Sequence, residues 1–235
     1  MRYAIYFTPP ADDPLTRSAG RWLGRDAFSG ETLAQPIVEA FPGTAFSELT
    51  SDPRRYGFHA TMKAPFELAQ DTDETELVEA FESFSARQAA FTLPALVLGQ
   101  LGPFFALVPD SLSPELQTLA ADCVIRFDRF RAPLGDHDLA RRRPDRLTSA
   151  ERCNLMAWGY PYVLDEFRFH MTLTGPVEQD DQPAARAAIE THFGVLLDQT
   201  RDIDALSLFV EPSRGAPFTM LHRVPLAGNA TRKTA

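Results

Sequence analysis

Two histidines stand in the same short context. Phe58-His59-Ala60-Thr61 and Phe169-His170-Met171-Thr172 each set an imidazole two residues before a hydroxyl. Both sit in longer matching stretches, from Tyr56 to Pro65 and from Phe167 to Pro176. An imidazole titrates near neutrality, so it can take a proton when neutral and give one when charged. A threonine hydroxyl can donate to an oxygen that gains negative charge during a reaction. Two such pairs facing each other would equip a cleft for acid–base chemistry on a phosphate.

The elements that must hold these residues can be read from alternation. Tyr56, Phe58, Ala60 and Met62 fall on one face of an extended segment, and Gly57, His59, Thr61 and Lys63 on the other. Likewise Phe167, Phe169, Met171 and Leu173 oppose Arg168, His170, Thr172 and Thr174. Half-buried strands have this period of two. The plainer alternative is two amphipathic strands whose histidines face solvent or close a hydrogen bond in the core.

The segments downstream of each motif argue for more. After His59 come a helix over 74–88 with Leu77, Val78, Phe81 and Phe84 on its apolar stripe, a strand over 91–98, a turn over 99–102 and a returning strand over 103–108. After His170 come a helix over about 183–197, a strand over 205–210, a turn over 212–215 and a strand over 217–221. The order strand–helix–hairpin thus occurs twice. The expectation is an α+β fold, one bilobal domain over 1–235 with two pseudo-symmetric lobes around a central cleft. Its first repeat covers about 55–110 and its second about 166–226, with a helical, Arg-rich insertion at about 113–161. In that insertion Leu116, Leu119, Ala120, Cys123, Val124 and Phe127 form a helical stripe, and Arg141, Arg142, Arg143, Arg146 and Arg152 come after it. Those arginines either face water or form a rim that brings a guanidinium to a phosphate.

Paired His-x-Thr strands in a duplicated α+β chain resemble the 2H phosphoesterase superfamily, which includes cyclic nucleotide phosphodiesterases and 2′–5′ RNA ligase-like proteins. The segments Arg55–Phe66, Trp158–Val163 and Phe167–Gly175 are similar to its branch associated with bacterial phosphonate-metabolism operons. The likeness runs from the opening Arg2–Phe7 to the last strand. It implies the RNA ligase-like fold with both motifs across the cleft, and a small sugar cyclic phosphate, such as a phosphoribosyl cyclic phosphate, as substrate.

The bulk composition narrows the field. The chain has 235 residues, 44% of them apolar, and a formal net charge of −9. That charge argues against a non-specific grip on long nucleic acid and leaves room for a small phosphorylated substrate in a locally basic cleft. Cys123 and Cys153 make neither a disulfide framework nor a metal spacing, and a cytoplasmic setting with no membrane span is expected. The apolar start ending at Pro9-Pro10 reads as a first strand, not a signal peptide. His137 reads as a loop residue, His192 as a helix-end residue and His222 as a sheet-edge residue, none with a metal-ligand spacing. No Gly-rich phosphate-cradling loop and no Gly-x-Ser-x-Gly nucleophile motif is present. No cofactor or metal is expected, and oligomeric state is not readable.

The expected activity is therefore metal-independent hydrolysis of a small cyclic phosphodiester, with His59 and His170 as the acid–base pair and Thr61 and Thr172 as phosphate clamps. Lys63, Arg168 and Thr174 are expected on the cleft side as substrate-binding residues, and Arg214 is a weaker candidate. Which histidine is the base stays open. So do two rival functions: processing of 2′,3′-cyclic or 2′–5′ RNA ends, and non-catalytic binding of a phosphorylated ligand.

Overall fold

The computed structural model describes residues 1–227. Among them eight strands form one sheet: β1 Arg2–Phe7, β2 Ala60–Phe66, β3 Phe91–Leu101, β4 Phe104–Pro109, β5 Met171–Thr172, β6 Gln199–Ile203, β7 Ala205–Glu211 and β8 Thr219–Pro225. The helices are α1 Pro14–Leu23, α2 Ala45–Leu49, α3 Ser51–Tyr56, α4 Glu74–Ser85, α5 Pro114–Phe127, α6 Asp136–Arg141, α7 Ser149–Trp158 and α8 Gln182–Phe193. Sheet order is β6-β3-β4-β5-β2-β1-β7-β8, and every neighbouring pair is antiparallel. The fold is α+β.

That order sets the two His-x-Thr strands side by side at the middle of the sheet. Their ladder is a single pair, Ala60 with Met171. Each half is tied more extensively to its own neighbours, β2 through β1 to β7, and β5 through β4 to β3. The halves meet as two lobes along a thin seam.

One face of the sheet is closed by helices. Tyr3, Ile5 and Phe7 alternate with Ala4 and Tyr6 along β1, and all six residues of the strand are buried. Ile5, Phe7, Phe105, Leu107, Met171 and Leu208 join Leu77 and Phe81 of α4, Leu119 and Cys123 of α5 and Ile189 of α8 in the main core. Ala4 and Tyr6 pack on the opposite face with Ala27, Phe209 and Phe218. Helix ends are set by local chemistry. Asp73 and Thr148 form capping boxes with Glu76 and Glu151, and Ser113 caps α5 ahead of Pro114.

Several expectations need correction. Tyr56–His59 is not part of the first motif strand, because α3 runs to Tyr56 and β2 begins only at Ala60. The second motif pairs only at Met171–Thr172, yet Phe167, Phe169, Met171 and Leu173 are all buried as the alternation predicts. The first hairpin turns at Gly102-Pro103 instead of over 99–102, since Leu101 pairs directly with Phe104. Helix α8 stops at Phe193. Strand β6 escapes the sequence patterns because it is a polar edge strand, with only Ile203 buried. His137 lies in α6 and not in a loop, and its side chain falls outside the described residues.

Candidate active site

The Ala60–Met171 pair dictates the site. Both residues are fully buried, so their neighbours in each strand point to the other face of the sheet. Continuing the antiparallel register sets His59 beside Thr172 and Thr61 beside His170. The four side chains form a diagonal arrangement, two imidazoles and two hydroxyls, at the seam of the lobes. His59, Thr61, His170 and Thr172 all line one cavity of about 330 Å³.

Each imidazole is anchored in the same way. His59 Nδ1 lies 2.8 Å from the carbonyl of Gly57, and His170 Nδ1 lies 2.8 Å from the carbonyl of Arg168. A carbonyl only accepts, so Nδ1 carries the hydrogen in both rings and leaves Nε2 for chemistry. In His59 that Nε2 is 3.2 Å from Thr61 Oγ1, which donates to it when the ring is neutral. The hydroxyl of Thr172 has no partner among the described residues. Gly57 makes the first anchor possible. Its φ is +79°, and a Cβ there would sit 2.8 Å from Cβ of Ala27. Only glycine meets both conditions.

Burial pushes the His59 pKa down to about 4, opposed by the Gly57 hydrogen bond and reinforced by His170. His170 is also lowered, chiefly by burial and against the Arg168 carbonyl. Removing an imidazolium from water is costly, so the folded protein holds both rings neutral near pH 7. Tyr6 stacks on His59 with ring centroids 3.8 Å apart, and Phe104 lies 6.0 Å from His170.

The rest of the wall comes from Arg2, Tyr6, Tyr56, Ala64, Pro65, Arg141, Arg142 and Tyr160. Arg141 and Arg142 belong to the Arg-rich insertion, so two of its arginines reach the cavity. Sequence reading missed Arg2, Tyr6, Tyr56 and Tyr160. Tyr6 could have been found from the alternation of β1, where it lies on the face opposite Ile5. The others depend on contacts between distant segments.

Three predicted contacts differ from expectation. Lys63 is buried on the helix side, where Nζ donates to the Val124 carbonyl of α5 and lies 3.4 Å from Asp128. The cause is the register shift between Tyr6 and Ile5: Tyr6 pairs with Thr61, but Ile5 already pairs with Lys63. A bulge reverses the face of each residue beyond it, so Ala64 takes the cleft position. Arg168 offers its backbone carbonyl to His170, while its side chain is exposed and does not line the cavity. Thr174 is buried and accepts from the Phe105 amide, though it touches a neighbouring cavity of about 250 Å³ shared by His59 and Thr172. Arg214 lies elsewhere, paired with Asp138 and Glu67. His192 Nε2 donates to the Ser18 carbonyl beside Trp22, and His222 faces Glu82, both away from the cavity.

A family model described as a protein of unknown function (DUF1045) matches residues 61–219. The chain belongs to this family. Two curated relatives carry the name ribose 1,5-bisphosphate phosphokinase PhnN. The relative from Janthinobacterium sp. (strain Marseille) is 40% identical over 235 residues, covering 98% of this chain and 52% of its own length. That from Laribacter hongkongensis (strain HLHK9) is 34% identical over 236 residues, covering 100% of this chain and 54% of its own length. The chain spans about half the length of the curated relatives it matches. Among solved structures, E. coli LigT complexed with 3′-AMP aligns at 16% identity and a TM-score of 0.46, over 96% of this chain and 97% of that one. TT0787 of Thermus thermophilus aligns at 12% identity and a TM-score of 0.48, over 97% of this chain and 100% of that one. At such scores the likenesses carry no argument, and the reading of the cleft rests on its own geometry. Among the described residues no helix is long and apolar enough to cross a membrane.

Proposed function

We propose that the DUF1045 chain hydrolyses a small cyclic phosphodiester, with His59 as general base and His170 as general acid. The observation that carries this reading is the matched anchoring of two imidazoles, each Nδ1 on the carbonyl two residues before it, in one cavity that Thr61 and Thr172 also line. His59 is the more strongly depressed ring, so it is the one found neutral and ready to take a proton. Water attacks phosphorus as His59 Nε2 removes its proton. The bond from phosphorus to one ring oxygen breaks, and His170 Nε2 delivers a proton to that oxygen. The product is a phosphomonoester, and the net proton count is unchanged. Thr61 turns from His59 to the phosphate, and Thr172 donates from the other strand as charge builds on the phosphoryl oxygens.

The site is small. A cavity of about 330 Å³ suits a sugar phosphate better than an oligonucleotide, in keeping with a phosphoribosyl cyclic phosphate. The cavity wall has no carboxylate, and among the described residues no group of three His, Cys, Asp or Glu could hold a metal ion. The kinase name belongs to relatives about twice the length matched here, and this chain has no phosphate-cradling Gly-rich loop.

The test is hydrolysis of ribose 1,2-cyclic phosphates and 2′,3′-cyclic nucleotides by purified protein, with and without EDTA. Turnover of at least one sugar cyclic phosphate is expected, insensitive to chelator. His59→Ala and His170→Ala should each lower kcat by about 10²-fold or more at unchanged melting temperature. Binding without turnover would overturn the enzymatic reading, and activity restored only by a divalent ion would overturn its metal independence.

A further inference from the structure

Helix α6 carries Arg141, and Arg142 follows at its end; both line the catalytic cavity, as does Arg2 at the start of β1. The helix has only six residues, and Gly135 ahead of it supplies no side-chain cap. None of its described side chains is fully buried. So short a helix gains little from its own hydrogen bonds, and it has to be held from outside.

The tie comes from the turn between β7 and β8. Arg214 in that turn donates from Nη1 to Asp138 Oδ1 at 2.6 Å and from Nη2 to Asp138 Oδ2 at 2.9 Å. Its Nη2 also donates to Glu67 Oε1, just beyond β2, at 2.7 Å. A lone surface ion pair contributes little, but a bidentate guanidinium–carboxylate pair inside a network is the exception. The turn is itself held from its other side. Glu211, fully buried at the end of β7, accepts from the Gly215 amide at 3.0 Å and pairs with Arg2 and Arg55. Glu211 and Arg214 thus connect β1, α3 and α6 through one turn.

We propose that Arg214 is a positioning residue: from a turn fixed by Glu211 it holds α6, so that Arg141 and Arg142 stay on the wall of the catalytic cavity. Arg214 does not line that cavity, so it acts on substrate only through the insertion. Its effect on substrate rests on the hydrolase reading of the cleft, whereas its hold on α6 does not. The rim guanidiniums attract an anion before and during the reaction alike, so loosening them weakens binding more than it slows the chemical step. Lysine at position 214 keeps the charge and loses the fork, so it can replace the arginine only in part.

The experiment uses Arg214→Gln, Arg214→Lys, Asp138→Asn and the Arg214→Gln/Asp138→Asn double variant. The Arg214 side chain is 46% exposed, so its loss should leave the melting temperature near that of the wild type. Amide hydrogen exchange reads α6 with no substrate present. Arg214→Gln is expected to speed exchange over 136–142 about threefold or more while β2 and β5 stay unchanged, and Arg214→Lys to speed it less. In turnover of ribose 1,2-cyclic phosphate, Arg214→Gln should raise KM several-fold with kcat within about twofold of the wild type. The double variant should match Asp138→Asn alone, because each substitution breaks the same pair. Exchange over 136–142 that Arg214→Gln leaves unchanged, or that is already unprotected in the wild type, overturns the proposal. So does an unchanged KM, or full additivity of the two substitutions. If no cyclic phosphate is cleaved, the hydrolase reading fails by itself, and exchange still decides whether Arg214 holds α6.

Discussion

At the scale of residues, the site depends on where two protons sit. Strand alternation in the Phe-His-x-Thr repeat puts His and Thr on one face, and His59, Thr61, His170 and Thr172 do line one cavity. The anchoring of each Nδ1 was not legible. It depends on a backbone carbonyl two residues upstream, in a segment that turns before the strand begins. Burial then separates the rings, sending His59 to about 4 and His170 less far below 6.5. The base limb of kcat/KM follows free His59 and the acid limb follows free His170, so the profile should be a bell with its optimum below pH 6.5. Substrate brings negative charge, which favours the imidazolium forms, so the kcat bell should move to higher pH. If the rings couple, both limbs are properties of the pair. The linkage sign for stability is the same for both rings: each folded pKa is depressed, so the unfolded chain binds more protons below 6.5. Stability is therefore lost as pH falls from 6.5 toward 4 and is regained in part by His59→Gln. Rate measurements across this range, with melting followed in parallel, check both statements. A profile with one limb in the wild type, where chemistry limits the rate, contradicts the two-histidine mechanism.

At the scale of elements, two backbone irregularities decide which side chains reach the cleft. The bulge of β2 between Thr61 and Lys63 carries Lys63 to the helix face and puts Ala64 on the cleft face, which is why simple alternation placed Lys63 wrongly. A bulge leaves little trace in composition, since it is fixed by pairing with β1 and not by the strand itself. The elbow at Gly57 has a trace, a glycine one residue after α3, but its function becomes visible only when Ala27 is seen against it. Gly57→Ala should cost about 1–3 kcal/mol of stability from the left-handed backbone alone, with more from the contact. Because the displaced carbonyl orients His59, kcat should fall by about tenfold or more. Adding Ala27→Gly removes the contact and leaves the dihedral cost, so it should recover part of the melting temperature. Thermal melts and turnover of the single and double variants read these two contributions separately. Full activity in Gly57→Ala would show that the Gly57 carbonyl does not position His59.

At the scale of the whole molecule, the sign of the net charge and the sign of the site are opposed. The chain carries −9 overall, yet the wall of the catalytic cavity presents Arg2, Arg141 and Arg142 and no carboxylate. Composition gives the net charge, but it could not show where the few cationic side chains converge. That required the insertion, β1 and the segment after α7 to meet at one rim. The two fields act on an anionic substrate with different range. Global repulsion acts over the whole approach, whereas the cleft acts near its mouth, where low-dielectric walls concentrate its field. Raising ionic strength from about 0.01 M to about 1 M shortens the screening length from about 30 Å to about 3 Å. If the cleft dominates capture, kcat/KM for the cyclic phosphate falls several-fold across that range while kcat changes little, since groups in contact are screened least. If the overall charge dominates, kcat/KM rises instead. The cleft should win, because its cations line the cavity itself while most carboxylates lie outside it. A rise in kcat/KM with salt, in protein whose melting temperature is unchanged, would reverse that assignment and remove electrostatic capture from the account of this site.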